Sequence, residues 1–293
     1  MKDAVRLLVY LLATVLLGAL LAPPLFWSAQ WLIAHDWLTF LKRFDFETFF
    51  HRSLLVAALI LVWPLARSLS VRSRSDLQIE PNPNWRRDVV AGFIASAVPL
   101  LCCAAILLAT PIFSIRNIID WSGAGKAVAA AAVVPFIEET FFRGLVLGIL
   151  LKSGRRYFAV FATSALYSIV HFLKAPDHTS TVVTWMSGFN SIAHAFVQFT
   201  DPILVVAGFT TLFLIGWILA DARLRTRSLW LPIGLHAGWI LTAGVFNKMA
   251  RHDAIILPWL GKNLLMGIIP LAVAGITWLI IRFWLRNRNA ERT

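Results

Sequence analysis

Residues Pro135-Phe-Ile-Glu-Glu-Thr-Phe-Phe-Arg143 place three ionisable side chains in the middle of an apolar run. Over residues 127–151 the chain has no other charged residue. Length and composition predict a membrane-spanning helix here, with Glu138, Glu139 and Arg143 near mid-depth. Because each such charge costs at least ~2.5 to 3.5 kcal/mol at the helix centre, we expect these residues to have partners or a chemical role.

Helical periodicity separates the three charges into a pair and a single acid. Glu139 and Arg143 are four residues apart, so they lie on one face of a helix and can form an ion pair. Glu138 lies about 100° round the helix from Glu139 and has no partner in its own helix. Such a carboxylate can accept a proton from water and return it. The alternative is that all three belong to a packing network between helices.

The composition predicts an all-α fold in the form of a polytopic membrane helix bundle. Of the 293 residues, 59% are hydrophobic and 14% are charged. The net charge of +12 does not indicate nucleic acid as a partner, because the positive-inside rule accounts for it. The adjacent Cys102 and Cys103 form neither a disulfide framework nor a metal-binding set.

Apolar segments predict about eight transmembrane helices. They cover residues 7–23, 49–66, 89–115, 127–151, 157–173, 202–220, 228–247 and 263–281. If the N-terminus lies inside, the inner segments carry 17 of the 27 Lys and Arg residues, which predicts that both termini are cytoplasmic. The expected location is the bacterial cytoplasmic (inner) membrane, with the lipid bilayer as a partner.

Three regions are expected along the chain. Residues 1–88 form an N-terminal membrane extension with a cytoplasmic basic loop, residues 89–284 form the core, and residues 285–293 form a basic tail. The consecutive prolines at 23 and 24 are expected to end the first helix. Residues 174–201 are rich in aromatic and small residues, which favours an interfacial or re-entrant helix and makes this segment a candidate lid.

The helical rise connects Glu138 with a histidine on the next helix. Glu138 lies 14 residues before Lys152, and His171 lies 15 residues after Arg156. At ~1.5 Å per residue, both side chains lie about 21 to 23 Å from the same inner boundary. Two antiparallel neighbours can therefore bring Glu138 and His171 together. Tyr167, four residues before His171, lies on the same side of that helix.

A second histidine, His236, lies in the seventh predicted span. The same count places it only about 14 Å from Arg227, so it is expected to be shallower than Glu138 unless Pro232 tilts the helix. The alternative is that His236 only packs between helices.

Two glycine pairs at GxxxG spacing flank these residues. Gly144 and Gly148 follow Arg143, while Gly234 and Gly238 flank His236. Small residues at this spacing let another helix approach closely, so both pairs predict helix packing.

Three motifs in the same order resemble those of the CPBP family, which comprises type 2 CAAX prenyl proteases and bacterial bacteriocin-processing and immunity proteins. They are EExxxR from Glu138 to Arg143, an aromatic residue and histidine at Tyr167 and His171, and SLWLPIGLHAGW over residues 228–239. All of them lie within residues 126–247. The resemblance leaves the first 88 residues and the last span without a counterpart.

The resemblance implies a glutamate-dependent intramembrane endopeptidase, with residues 89–284 as its protease core. Its substrate would be a membrane-associated protein or a lipidated or secreted peptide, cleaved by water that Glu138 activates. His171 would assist this base and His236 would help to stabilise the oxyanion. The resemblance implies that the supporting residues are Glu139, Arg143 and Tyr167.

Two departures from the family pattern bear on activity. Tyr167 stands where the family usually has Phe, and Ile240 stands where it usually has Asn, four residues after His236. Deleting an oxyanion donor costs roughly 2.7 to 4 kcal/mol where it has been measured. A catalytically weak or inactive member, which acts as a membrane peptide-binding, scaffold or immunity protein, is therefore the alternative. A proton-coupled transporter would also use a buried acid and histidine, but the sequence has no detectable inverted repeat.

No metal or other cofactor is expected. The zinc-binding pattern HExxH is absent, and pairing with Arg143 opposes metal binding by Glu139. The alternative is a divalent metal such as zinc, held by Glu138, His171 and His236.

Overall fold

The computed structural model describes residues 2–69, 71–172, 182–254, 256–261 and 263–290, most of which are helical. The elements in chain order are α1 (Lys2–Ala34), α2 (Phe46–Ser68), α3 (Trp85–Leu108), β1 (Phe113–Ile115), α4 (Trp121–Glu139), α5 (Leu147–Leu151), α6 (Arg156–Phe172), α7 (Ser187–Phe196), α8 (Pro202–Leu204), α9 (Thr210–Thr226), α10 (Trp230–Met249), β2 (Ala250–His252) and α11 (Ile268–Ala290). Two π-helical segments, Thr140–Val146 and Val205–Phe209, join α4 to α5 and α8 to α9.

The chain forms two compact units. The first comprises Met1–Val71 and Leu173–Asp201, and the second comprises Arg72–Phe172 and Pro202–Thr293. In the first unit α1 and α2 pack antiparallel. The Ser53 hydroxyl donates to the Gly18 carbonyl at 2.6 Å near the middle of this pair.

The first helix continues through Pro23 and Pro24 to Ala34, so the prediction that the prolines end it is wrong. Pro23 has no N–H to offer the carbonyl of Ala19, four residues earlier. Gly188 of α7 packs against that carbonyl so closely that a Cβ atom at Gly188 would lie 2.1 Å from the Ala19 oxygen. Packing of this kind lets a membrane helix tolerate proline in its interior.

The second unit is built around α10, which packs against α3 and α4. Glycines permit the close approach of α10 to α3, as the GxxxG spacing of Gly234 and Gly238 predicts. A Cβ atom on Gly234 would lie 2.1 Å from the carbonyl oxygen of Val89, and one on Gly238 would lie 2.1 Å from the Ser96 hydroxyl. Backbone therefore packs almost directly on backbone at this crossing.

The other glycine pair has a different neighbour from the one predicted. Gly148 faces Leu77 in the segment before α3, and the nearest neighbour of Gly144 is Leu229, directly before α10. A Cβ atom on Gly148 would lie 2.8 Å from Leu77, and one on Gly144 would lie 3.8 Å from Ile79. The spacing alone predicts close approach but does not identify what approaches.

A small antiparallel sheet interrupts the otherwise helical second unit. Phe113 of β1 pairs with His252 of β2, and Ile115 pairs with Ala250. The predicted span over residues 89–115 consequently ends at Leu108. Hydropathy did not reveal these strands, because each is only three residues long.

The structure has a helical segment at each of the eight predicted positions. Five helices of the described chain are long and apolar enough to cross a membrane, namely Lys2–Ala34, Phe46–Ser68, Trp85–Leu108, Pro202–Thr226 and Ile268–Arg288. The other three segments carry the polar residues of the three motifs, which lowers their apolar content. The chain is therefore a polytopic helical membrane protein.

The predicted lid, residues 174–201, is described in part. Helix α7 and a 3-10 turn over Val197–Thr200 lie within it, while residues 174–181 lie outside the described residues.

The close crossing of α3 and α10 generates a prediction. Replacing Gly234 with Ala forces the helices apart, and we expect it to lower the free energy of unfolding by about 1 to 3 kcal/mol. The matched control is Gly275→Ala in α11, where a Cβ atom meets nothing within 4 Å. Unfolding by SDS in mixed micelles measures both variants, and equal stabilities would contradict the proposed packing.

Candidate active site

The helix that carries the two glutamates, α4, ends at Glu139, and the helical geometry changes there. The Asp120 carboxylate caps the start of α4 by accepting from the Gly123 amide at 2.8 Å. The helix runs through Pro135 to Glu139 and then becomes π-helical over Thr140–Val146. Such π-helical turns are rare and occur frequently at functional sites.

Glu139 and Arg143 form the predicted ion pair, although Arg143 lies in the π-helical segment. Arg143 NH1 donates to Glu139 Oε1 at 3.0 Å, and both side chains are fully buried. Arg143 NH2 also donates to the Gly216 carbonyl of α9 at 3.2 Å. The guanidinium carbon lies 4.3 Å from the centre of the Tyr167 ring, which is cation–π geometry. One buried cation thus links α4, α6 and α9.

Glu138 meets His171, as the depth count predicts. His171 Nε2 lies 3.1 Å from Glu138 Oε2, and about a quarter of each side chain is exposed. The other ring nitrogen, Nδ1, lies 2.8 Å from the Tyr167 carbonyl. Because a carbonyl only accepts, Nδ1 carries a hydrogen and donates it.

That assignment fixes the proton count of the Glu138 and His171 pair. A neutral ring with its hydrogen on Nδ1 has a bare Nε2, which cannot donate to a carboxylate. A hydrogen bond across the 3.1 Å contact therefore requires one further proton, either on His171 or on Glu138. In both cases the pair is neutral as a whole.

His236 lies level with the glutamates, so the prediction of a shallower position is wrong. Its Nδ1 donates to Glu139 Oε1 at 2.8 Å, and its Nε2 lies 3.8 Å from Glu138 Oε2. The depth count assumed regular helices. It also counted from Arg227, which lies before α10 begins at Trp230, and it left out helix tilt and the reach of the side chains, which decide whether groups on different helices meet.

Tyr167 completes the cluster from α6. Its hydroxyl lies 3.4 Å from His236 Nε2, and the residue is almost fully buried. A neutral His236 that donates through Nδ1 has Nε2 free to accept from this hydroxyl. The six predicted site residues are therefore brought together in the second unit.

The residues of the cluster differ in the exposure of their side chains. Glu139 and Arg143 have no exposed side-chain surface, and His236 has 6%. Glu138 and His171 each keep about a quarter of their side-chain surface exposed. The geometry thus gives an acid–imidazole pair with an accessible edge, supported from behind by a desolvated ion pair.

Arg223 was not predicted as part of the site. It was counted only among the Lys and Arg residues of the inner segments. Arg223 is buried in α9, its Nε donates to the Arg143 carbonyl at 3.2 Å, and its NH2 donates to the Leu77 carbonyl. It therefore holds the π-helical segment against the loop before α3. Neither its spacing nor its neighbours distinguish it from the exposed Arg225 and Arg227.

The donor atoms do not form a ready metal centre. Within the described part of the chain, no group of three or more His, Cys, Asp or Glu side chains is arranged to hold a metal ion. Glu139 Oε1 is already bonded to Arg143 and His236. We consequently derive no chemical step through a metal.

With this geometry established, comparison with known proteins identifies the class. Residues 120–242 match the family model described as Rce1-like, type II CAAX prenyl endopeptidase. The match covers less than half of the chain and contains all three motifs. Residues 120–242 are thus similar to this Rce1-like family, which confirms the predicted resemblance. No curated protein and no solved structure matches the chain.

The buried ion pair generates a prediction about stability. Replacing Arg143 with Met leaves the Glu139 carboxylate buried without its cation, so we expect a loss of about 3 to 5 kcal/mol in the free energy of unfolding. The matched control is Arg227→Met. Arg227 pairs with Glu80 at 2.7 Å, but both side chains are more than half exposed, so its loss costs at most about 1 kcal/mol. Similar losses in SDS unfolding of both variants would contradict this interpretation.

Proposed function

We propose that this protein is an intramembrane endopeptidase that hydrolyses a peptide bond with water activated by Glu138. The observation that carries the proposal is the accessible contact of 3.1 Å between Glu138 and His171. The family match supports it, because the family is one of proteases. Glu138, His171 and His236 are the proposed catalytic residues, with Glu139, Arg143 and Tyr167 in support.

The proposed reaction begins from the ion-pair form of Glu138 and His171. The Glu138 carboxylate accepts a proton from water as the water oxygen attacks the carbonyl carbon of the scissile bond. The resulting tetrahedral intermediate then collapses, the carbon–nitrogen bond breaks, and the leaving nitrogen receives that proton. His171 keeps the carboxylate oriented and its charge balanced, so the base is ionised in a weakly polar interior.

His236 is proposed to help to stabilise the oxyanion. Because its Nδ1 donates to Glu139, only its protonated form has an N–H at Nε2 for a developing negative charge. The Tyr167 hydroxyl, 3.4 Å from that nitrogen, supports the position of the ring.

The proposal also covers the substrate class, the metal requirement and the three regions of the chain. The substrate class is a membrane-associated protein or a lipidated or secreted peptide. The reaction needs no metal, with zinc at Glu138, His171 and His236 as the alternative. Residues 89–284 form the protease core, residues 1–88 the extension and residues 285–293 the tail.

The proposed topology has eight spans and cytoplasmic termini in a bacterial inner membrane. The excess of Lys and Arg in the inner segments supports this orientation. Labelling of a single cysteine introduced at position 155 from either side of the membrane tests it, since this position is predicted to be cytoplasmic.

A second candidate function is a membrane peptide-binding, scaffold or immunity protein with little or no catalysis. The observation in its favour is Ile240, one helical turn after His236, where an amide donor is expected from the family resemblance. An aliphatic side chain there removes one hydrogen-bond donor from the face of α10 that carries His236.

The proposed base generates a prediction about activity. A substrate is first found by comparing the peptides of membrane and secreted proteins with and without the gene. Cleavage of that substrate by Glu138→Gln and His171→Ala is expected to fall by about 10² to 10⁴-fold, because each loses the proton-transfer pair. The control Glu80→Gln changes an exposed carboxylate and keeps activity, and a chelator has no effect. Undiminished cleavage by correctly inserted Glu138→Gln would refute the proposal.

Position 240 distinguishes the two functions. Replacing Ile240 with Asn adds an amide donor and is expected to raise kcat by about tenfold or more if the protein is a weak enzyme. Ile240→Val serves as the control, since it changes volume without adding a donor. An inert protein that stays inert as Ile240→Asn favours the binding function.

A further inference from the structure

A cavity of about 750 Å³ lies where the ends of α6, α9 and α11 meet. It contains none of the six candidate site residues. Five arginines from these elements line it, namely Arg156, Arg225, Arg227, Arg282 and Arg286.

The carboxylates of the second unit neutralise only part of this charge. Asp221 pairs with Arg225 at 3.0 Å and with Arg282 at 3.6 Å, and Glu80 pairs with Arg227. Arg156 and Arg286 have no carboxylate partner among the residues that the structure describes. Five cations thus face two anions around one cavity, which favours an anionic ligand.

The walls of the cavity are not purely polar. Leu224, Phe283 and Leu285 lie between the arginines, and Phe283 is 67% exposed on α11. An exposed aromatic ring beside guanidinium groups at the end of a membrane helix suits a ligand with both a charged and an apolar part. A free inorganic anion would not use this wall.

We propose that this cavity binds the phosphate of an anionic phospholipid, with an acyl chain against Phe283. The positive-inside rule explains why arginines occur in these segments, but it does not require three separate helices to direct them into one cavity. Basic pockets between helices at a membrane surface are a known form of lipid headgroup site. Arginine is suited to this role because its planar donors match phosphate oxygens.

The test uses the full chain in detergent, with lipid binding followed by native mass spectrometry. Phosphatidylglycerol is the anionic probe, phosphatidylcholine the neutral lipid, and glycerol 3-phosphate the phosphate without acyl chains. We expect R156Q/R286Q to bind phosphatidylglycerol at least about tenfold more weakly than the wild type, because two charges near the headgroup are lost. The conservative R156K/R286K is expected to retain most of the binding.

The matched control is R74Q/R155Q, which removes two exposed arginines that do not line the cavity. It is expected to bind phosphatidylglycerol as the wild type does. An equal loss in both double variants would show a general effect of surface charge and overturn the proposal. Equal binding of phosphatidylcholine, or competition by glycerol 3-phosphate at the concentration of the lipid, would also overturn it. Unfolding in SDS and single R156Q and R286Q variants separate lost binding from lost folding.

Discussion

The buried ion pair of Glu139 and Arg143 is the constraint on which the rest of the second unit depends. Two charges without exposed surface are held more firmly when further groups contact them. Gly216 of α9, Tyr167 of α6 and His236 of α10 supply such contacts, whereas Glu139 Oε2 and Arg143 Nε have no hydrogen-bond partner among the described residues. These contacts hold four helical segments together. In the same arrangement both His171 and His236 lie beside Glu138.

Glu138 and Glu139 are adjacent in the chain, but helical rotation places their side chains in different surroundings. Glu139 points into the bundle, where a cation and an imidazole occupy the same oxygen, Oε1. Glu138 lies about 100° away and keeps an accessible surface beside His171. A buried, charge-compensated residue suits a structural role, whereas an accessible, proton-sharing residue suits chemistry. The division between them follows from helical periodicity and from the partners on each face.

Sequence patterns predicted those features that depend on regular helices. Spacing of four residues identified the contact of Glu139 with Arg143, and equal depth identified that of Glu138 with His171. The level of His236 was predicted wrongly because a count along each helix leaves out helix tilt and the reach of the side chains. The continuation of α1 through Pro23 accompanies a close contact of the Ala19 carbonyl with Gly188, which is 165 positions after Pro23, and no local pattern reveals that contact. Arg223 was missed for the same reason, since its burial is a property of the tertiary structure.

The single proton between Glu138 and His171 has an electrostatic consequence. When it moves from Nε2 to Oε2, an ion pair becomes two uncharged groups, but the total charge of the couple stays at zero. The site can therefore alternate between an ionised and an uncharged acid without importing a net charge into a poorly solvating interior. Electroneutral exchange of this kind avoids the Born penalty that would accompany the titration of an isolated carboxyl group.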